Sequence, residues 1–272
     1  MSNNRPIGVF DSGLGGLTVV KELKNLMPNE DIIYFGDTGR VPYGNRSVDT
    51  IKRYAREDEA FLLKQDVKVI VAACGTVSSV AADVSNTLPI PFFEVVTHAC
   101  AEAVRVTKNG KIGVIGTAAT VKSGKHKEHI LKLKPDAQVF AQSCPLFVPL
   151  VEEGWYRKED MVVKETVSRY LKPLIDAGVD TVILGCTHYP VLSDVIGKVM
   201  GKGVTLINAG TQTAMAVLDY LKKNEMLNVT GNLKNSRFFV SDKAESFVMQ
   251  ASVLLGKDID ESKVSIVDLS SL

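Results

Sequence analysis

The sequence predicts an α/β fold of two similar lobes, each a mostly parallel sheet flanked by helices, with an active site in the cleft between them. Three observations carry that expectation. Short apolar runs alternate with segments of helical periodicity. The runs are apolar at consecutive positions, as in strands covered by helices on both faces. And the layout of the first third of the chain recurs further on. At 272 residues the chain is long enough for about two domains.

The apolar runs are Ile7 to Phe10, Asp31 to Phe35, Val67 to Ala73, Phe92 to Val96, Ile112 to Ile115, Val139 to Gln142, Val179 to Leu184 and Val204 to Ile207. Each reads as a strand. Helical spacing of apolar residues covers Leu17 to Leu26, Ser47 to Lys64, Val77 to Asn86, Met161 to Ala177 and Thr211 to Lys223. Ser47 supplies a helix start signal, and Ser193 or Asp194 is expected to cap a short helix ahead of Gly201. Beyond Lys223, a strand at Arg237 to Val240 and a helix at Ala244 to Leu255 form an appendage that completes the first lobe. Turn residues at Leu88-Pro89-Ile90-Pro91 and Asn208-Ala209-Gly210 set the boundaries. Residues 1–91 plus 209–272 form the first lobe and residues 92–208 the second.

The repeat is visible where Ile7-Gly8-Val9-Phe10-Asp11-Ser12-Gly13 resembles Ile112-Gly113-Val114-Ile115-Gly116-Thr117-Ala118. Each half goes on to a strand that runs straight into a cysteine: Val69 to Ala73 into Cys74, and Val182 to Gly185 into Cys186. Ligands of open α/β sheets bind at the carboxyl ends of the strands, where all four segments fall. Two such halves facing each other would enclose one ligand between two thiols.

Composition narrows the function classes. The balance of 32 basic against 31 acidic residues gives a net charge of +1, so there is no field to gather nucleic acid or a membrane surface. The first residues lack an apolar leader, and no run approaches the length of a membrane span, which predicts a cytoplasmic protein. Four cysteines without a C-x-x-C pair argue against structural zinc or a disulfide scaffold, and no metal is expected. His126 and His129, three residues apart among lysines, read as a solvated helix face.

The glycine-rich Asp11-Ser12-Gly13-Leu14-Gly15-Gly16 loop follows a strand and opens a helix, but an acid just before it would repel a pyrophosphate. A small zwitterion suits it better: Asp11 can pair with an ammonium while Ser12 and backbone N–H groups take a carboxylate. Pro42-Tyr43-Gly44 supplies an aromatic wall and exposed backbone N–H groups at the same sheet end. Cys100 and Cys144 read as buried packing residues. Cys74 and Cys186 sit beside small hydroxyl residues, and a helix opening after each would favour the thiolate. A Cys186–His188 nucleophile leaves Cys74 without a role, and disulfide chemistry usually keeps its cysteines close in sequence. Taking a proton from one face of a carbon and returning it on the other uses both thiols.

As an ordered set, Asp11-Ser12-Gly13-Leu14-Gly15-Gly16, Pro42-Tyr43-Gly44, Ala73-Cys74-Gly75-Thr76 and Gly185-Cys186-Thr187-His188-Tyr189-Pro190 resemble the glutamate racemases of the aspartate/glutamate racemase superfamily. The resemblance implies cofactor-independent interconversion of L- and D-glutamate, supplying D-glutamate for peptidoglycan. It implies Cys74 and Cys186 as the acid/base pair, assisted by Asp11, Glu152 and His188. It implies substrate contacts from Asp11, Ser12, Tyr43, Gly44, Gly75, Thr76, Thr187 and His188, with no pyridoxal phosphate or metal. A homodimer is one assembly it leaves open. The family usually has Asn where this chain has Gly75, and Tyr where it has His126. An aspartate racemase and a non-catalytic binder of acidic amino acids are the alternatives.

Overall fold

The computed structural model describes residues 3–228, 236–242, 244–256 and 258–269. The first lobe opens with β1 (Ile7–Asp11), α1 (Leu17–Leu26), β2 (Ile32–Gly36), α2 (Val48–Lys64), β3 (Val69–Ala72), α3 (Gly75–Val80), β4 (Phe92–Glu94) and α4 (Val95–Val106). The second follows with β5 (Lys111–Gly116), α5 (Ala118–Ser123), α6 (Lys125–Leu133), β6 (Gln138–Ser143), α7 (Phe147–Glu152), α8 (Met161–Ala177), β7 (Thr181–Leu184), α9 (Ser193–Met200) and β8 (Thr205–Asn208). Helix α10 (Ala209–Lys223) leads back to β9 (Arg237–Val240), α11 (Ala244–Leu255) and β10 (Val264–Ile266).

Every pairing in both sheets is parallel. The six-stranded sheet runs β10-β9-β2-β1-β3-β4 and the four-stranded sheet β6-β5-β7-β8. The segment β2-β1-β3-β4 therefore has the same order as the whole second sheet. The repeat seen faintly in the letters is a repeat of topology, and Cys74 and Cys186 each follow the third strand of their half. Strands β9 and β10 extend the first sheet beside β2.

The strands are apolar throughout because both faces are covered. In β1, β2 and β3, Ile7, Val9, Ile32, Tyr34, Val69 and Val71 turn one way, into the cluster that holds Leu17, Val20 and Leu23 of α1. Phe10, Ile33, Phe35, Ile70 and Ala72 turn the other way, onto Ile51, Ala55 and Leu62 of α2. The period of two along a strand makes this division. The first cluster continues through α4 and α10 into the second lobe, so the lobes share a core.

Several expectations change. The first sheet keeps β4 as its edge, so the chain leaves that sheet after residue 94 and not at 91. Glu94 ends this strand by capping α4, its carboxylate accepting from the Val96 and Thr97 N–H groups at 2.5 and 2.8 Å. The single helix expected over Val77 to Asn86 is α3 followed by a separate 3-10 stretch, Ala82–Thr87, broken at Ala81. Ser193 does not cap α9; its hydroxyl donates to the Pro190 carbonyl at 2.6 Å, and the helix continues from a 3-10 turn. Ser47 does cap α2, accepting from the Thr50 N–H at 3.3 Å.

Candidate active site

The ends of β3 and β7 meet at two glycines. A Cβ placed on Gly75 would lie 2.2 Å from the Gly185 carbonyl oxygen and 3.7 Å from the Cys186 Cα. Only hydrogen fits there, so the absence of a side chain at residue 75 has a packing cause. Gly75 follows Cys74 and Gly185 precedes Cys186, so one backbone contact brings both cysteine-bearing strand ends together. Gly15 makes a second close approach, since a Cβ there would stand 2.2 Å from Thr187 Oγ1 and 2.6 Å from the His188 ring. The glycine-rich loop thus makes room for the second lobe. Thr18 fastens this contact, its hydroxyl donating to the Thr187 carbonyl at 2.9 Å.

On the first-lobe side, Cys74 is buried and its thiol donates to Ser12 Oγ at 3.5 Å. Burial, with the Asp11 carboxylate adding to it, pushes the thiol up to about 12. The expectation that a following helix would favour thiolate fails here: α3 does begin at Gly75, but desolvation outweighs its short dipole. Asp11 is 1% exposed; Oδ2 accepts from the Gly13 N–H at 3.1 Å, and Oδ1 has no hydrogen-bond partner. Burial raises this carboxyl above the ordinary carboxylate range, against the opposing pull of His188 and the N–H groups of Gly16, Gly13 and Ser12.

On the second-lobe side, Cys186 is half-buried and its Sγ lies 4.0 Å from His188 Nδ1. Thr187 and His188 separate it from the 3-10 turn Tyr189–Leu192, so, unlike Cys74, this cysteine has no helix opening directly after it. Glu152, the last residue of α7, places Oε1 3.2 Å from His188 Nε2. That separation suits an ion pair but lacks the alignment of a hydrogen bond, and Nε2 has no other partner. Burial alone would lower the imidazole's pKa; Cys186 and Glu152 outweigh it and raise it to about 10. His188 is therefore a cation at neutral pH, facing Asp11 across the lobes.

Thr76 reaches the second lobe as well, its hydroxyl 3.1 Å from that of Thr117, the N-cap of α5. Gly44 abuts the same threonine, with 3.3 Å between a Cβ placed there and the Thr117 Cβ. Tyr43 is 1% exposed, and its hydroxyl is engaged by Asp37 and Asp58. Gly15, Gly44, Gly75, Thr76, Thr187 and His188 thus lie along one seam, with Glu152 against His188, whereas the Tyr43 side chain is turned to Asp37 and Asp58. Sequence reasoning missed Thr18 and passed over Thr117, which was legible only as a hydroxyl in the repeat. It also misplaced His126, which is 4% exposed, with Nε2 3.4 Å from where a Gly185 Cβ would be, and is not on a solvated face. Among the described residues, no group of three or more His, Cys, Asp or Glu is arranged to hold a metal ion.

The crevice lined by Ala73, Gly75, Gly185, Cys186 and Thr187 measures about 10 Å³, barely enough for one water. A roomier cavity of about 280 Å³ is lined by Leu14, Glu152, His188 and Gln250 among others. An arrangement of two thiols, one beside a carboxylate and the other beside an imidazolium, is equipped for proton transfer at a carbon held between them.

The family model for Asp/Glu/Hydantoin racemase matches residues 15–217. The chain belongs to this racemase family. It is 45% identical over 269 residues to a glutamate racemase of Sulfurihydrogenibium, covering 98% of this chain and all of the relative. A glutamate racemase of Geobacter metallireducens is 44% identical over 253 residues, 93% of each chain. Among solved structures, glutamate racemase from Francisella tularensis in complex with D-glutamate superposes with a TM-score of 0.91, at 38% identity and 99% coverage of both chains. Two parallel sheets flanked by helices are the architecture this racemase shares with it. Among the described residues, no helix is long and apolar enough to cross a membrane.

Proposed function

We propose that this protein interconverts L- and D-glutamate by passing the α-proton between Cys74 and Cys186, and that the D-glutamate supplies peptidoglycan synthesis in the cytoplasm. The observation that supports this reading is the contact of Gly75 with Gly185, the residues next to the two cysteines in the chain. In this reading Cys74, which burial favours as a thiol, starts as the acid, and Cys186, beside His188, starts as the base. The base takes the α-proton, breaking the C–H bond and leaving a carbanion. The acid gives its proton to the opposite face, forming the new C–H bond. The protein ends with Cys186 as thiol and Cys74 as thiolate, and the roles exchange for the reverse reaction.

An amino acid's α-proton is weakly acidic, so donors around the carboxylate must hold the developing charge. Ser12, Thr76 and Thr187 supply hydroxyls for that purpose, and the unpartnered Asp11 Oδ1 suits the ammonium. The test is to replace Cys74 and Cys186 singly by alanine and follow racemisation of each enantiomer by circular dichroism. Exchange of the α-proton in deuterated buffer, with glutamate and aspartate compared, reports substrate and chemistry together. Near-normal racemisation by either variant would falsify the two-thiol scheme, and faster exchange of aspartate would overturn the choice of substrate.

A further inference from the structure

The turn Val41 to Gly44 rests on a buried cluster that the reaction does not use. Asp37 and Asp58 have fully buried side chains, and Arg40 is four-fifths buried between them. Arg40 Nε donates to Asp37 Oδ2 at 2.5 Å and Nη2 to Asp58 Oδ1 at 3.1 Å, while Nη1 pairs with Glu57. Ser241 Oγ donates to Asp37 Oδ1 at 2.8 Å. The Tyr43 hydroxyl contacts Asp37 Oδ2 and also Asp58 Oδ2, the latter at 3.1 Å.

A phenol has one hydrogen and faces two carboxylate oxygens here, so a second hydrogen is needed. Both Asp37 oxygens already accept from Arg40 or Ser241, which leaves the extra proton to Asp58 Oδ2. Charge agrees, because Asp37, Asp58 and Glu57 surround one guanidinium, and Asp58 has no solvent to relieve the surplus. We propose that Asp58 carries a proton at neutral pH and donates it to Tyr43, and that this bond positions the Tyr43–Gly44 turn against Thr117 at the active-site seam. Burial and the neighbouring Asp37 raise the Asp58 carboxyl well above its ordinary value, with Arg40 and the Tyr43 hydrogen bond opposing. Asp58 is a positioning residue, and the seam it serves is the one in the racemase reading, on which this part of the inference rests.

Asparagine reproduces a protonated aspartic acid here: its oxygen accepts from Arg40 and its amide donates to Tyr43. Asparagine at residue 37 instead turns hydrogens toward donors. In the full-length enzyme, Asp58→Asn should keep kcat and KM within about twofold, while Asp58→Ala and Asp37→Asn raise KM roughly tenfold, about one charge-assisted hydrogen bond, with kcat changing less. The infrared difference between wild type and Asp58→Asn at pH 7 should contain the carbonyl band of a protonated carboxyl. Absence of that band overturns the assignment of the proton, as does an Asp58→Asn protein that fails to fold or matches the KM rise of Asp58→Ala. An unchanged KM in Asp58→Ala overturns the positioning role. If Asp58→Ala cannot be folded, the infrared and Asp58→Asn results decide. A band present in a protein without racemase activity would overturn the functional reading and the turn's part in it, while supporting the proton on Asp58.

Discussion

Replacing Gly75 by alanine tests whether the two strand ends meet. The new Cβ would start 2.2 Å from the Gly185 carbonyl oxygen and 3.2 Å from its carbon, and ordinary contact begins at 3.4 Å. The two segments must separate by 3.4 − 2.2 = 1.2 Å, and because both are backbone, no side chain can swing aside. Overpacking of this kind costs about 1–3 kcal/mol. A glycine in the first turn of a helix would otherwise gain about 0.4–1 kcal/mol on becoming alanine, through a stiffer unfolded chain. The clash wins, and a net loss of about 1–2 kcal/mol is expected. Urea unfolding at constant slope reads it as a lowered midpoint, and KM should rise as the seam is displaced. A midpoint that stays put or rises would show that the strand ends are not in contact, and the juxtaposition of the thiols would fall with it.

The charges at the seam lead to three more expected outcomes. Glu152→Gln removes one of the groups that raise the His188 imidazole, so its NMR titration should move down from about 10. A raised imidazole contributes stability that is fully present below 6.5 and is lost as pH climbs toward 10, so unfolding measured across that window should show a shallower decline in the variant. An unchanged slope would mean that Glu152 does not act on this ring. Asp11→Asn relieves a buried, partly unpartnered carboxylate and should raise stability by about 1 kcal/mol while lowering kcat/KM about a hundredfold; a less stable variant would contradict the buried charge. Under a thiol-alkylating reagent at neutral pH, Cys186 should be labelled first, since Cys74, Cys100 and Cys144 are buried. Burial also pushes the Cys74 thiol up to about 12, which keeps it protonated and slow to react at pH 7. Equal labelling of Cys74 and Cys186, read by mass spectrometry, would remove the asymmetry.

The strands were legible because burial on both faces leaves continuous apolar runs, and the two cysteines because each run ends in one. The α4, α5 and α6 helices were not. Val95, Val96, Ala99, Cys100 and Ala103 make a buried stripe on α4, but its first two residues were read as the end of a strand, while α5 buries only Thr120 and α6 only His126 and Ile130, too few to show a stripe. The boundary at residue 91 followed the prolines, yet Phe92–Glu94 still hydrogen-bonds to β3, because a turn marks a change of element and not a change of sheet. His126 was hidden by its lysine neighbours: one face of α6 is exposed while the other presses the histidine toward Gly185. Helix dipoles do not make both cysteines thiolates, because the residues after a cysteine are visible in the letters while its depth of burial is not. For the same reason Gly75 looked in the letters like a lost contact, and only the backbone opposite it reveals an obstruction that any side chain would meet.

The chain passes between the sheets twice, outward through α4 and back through α10, and these two helices pack side by side. Two adjacent crossings tie the lobes at two points rather than one. The first residues of both, Val95, Ala209 and Gly210, line the same crevice as Gly75 and Gly185, so the crossings are anchored at the seam itself. A single linker of equal length would hold the lobes together without fixing their register.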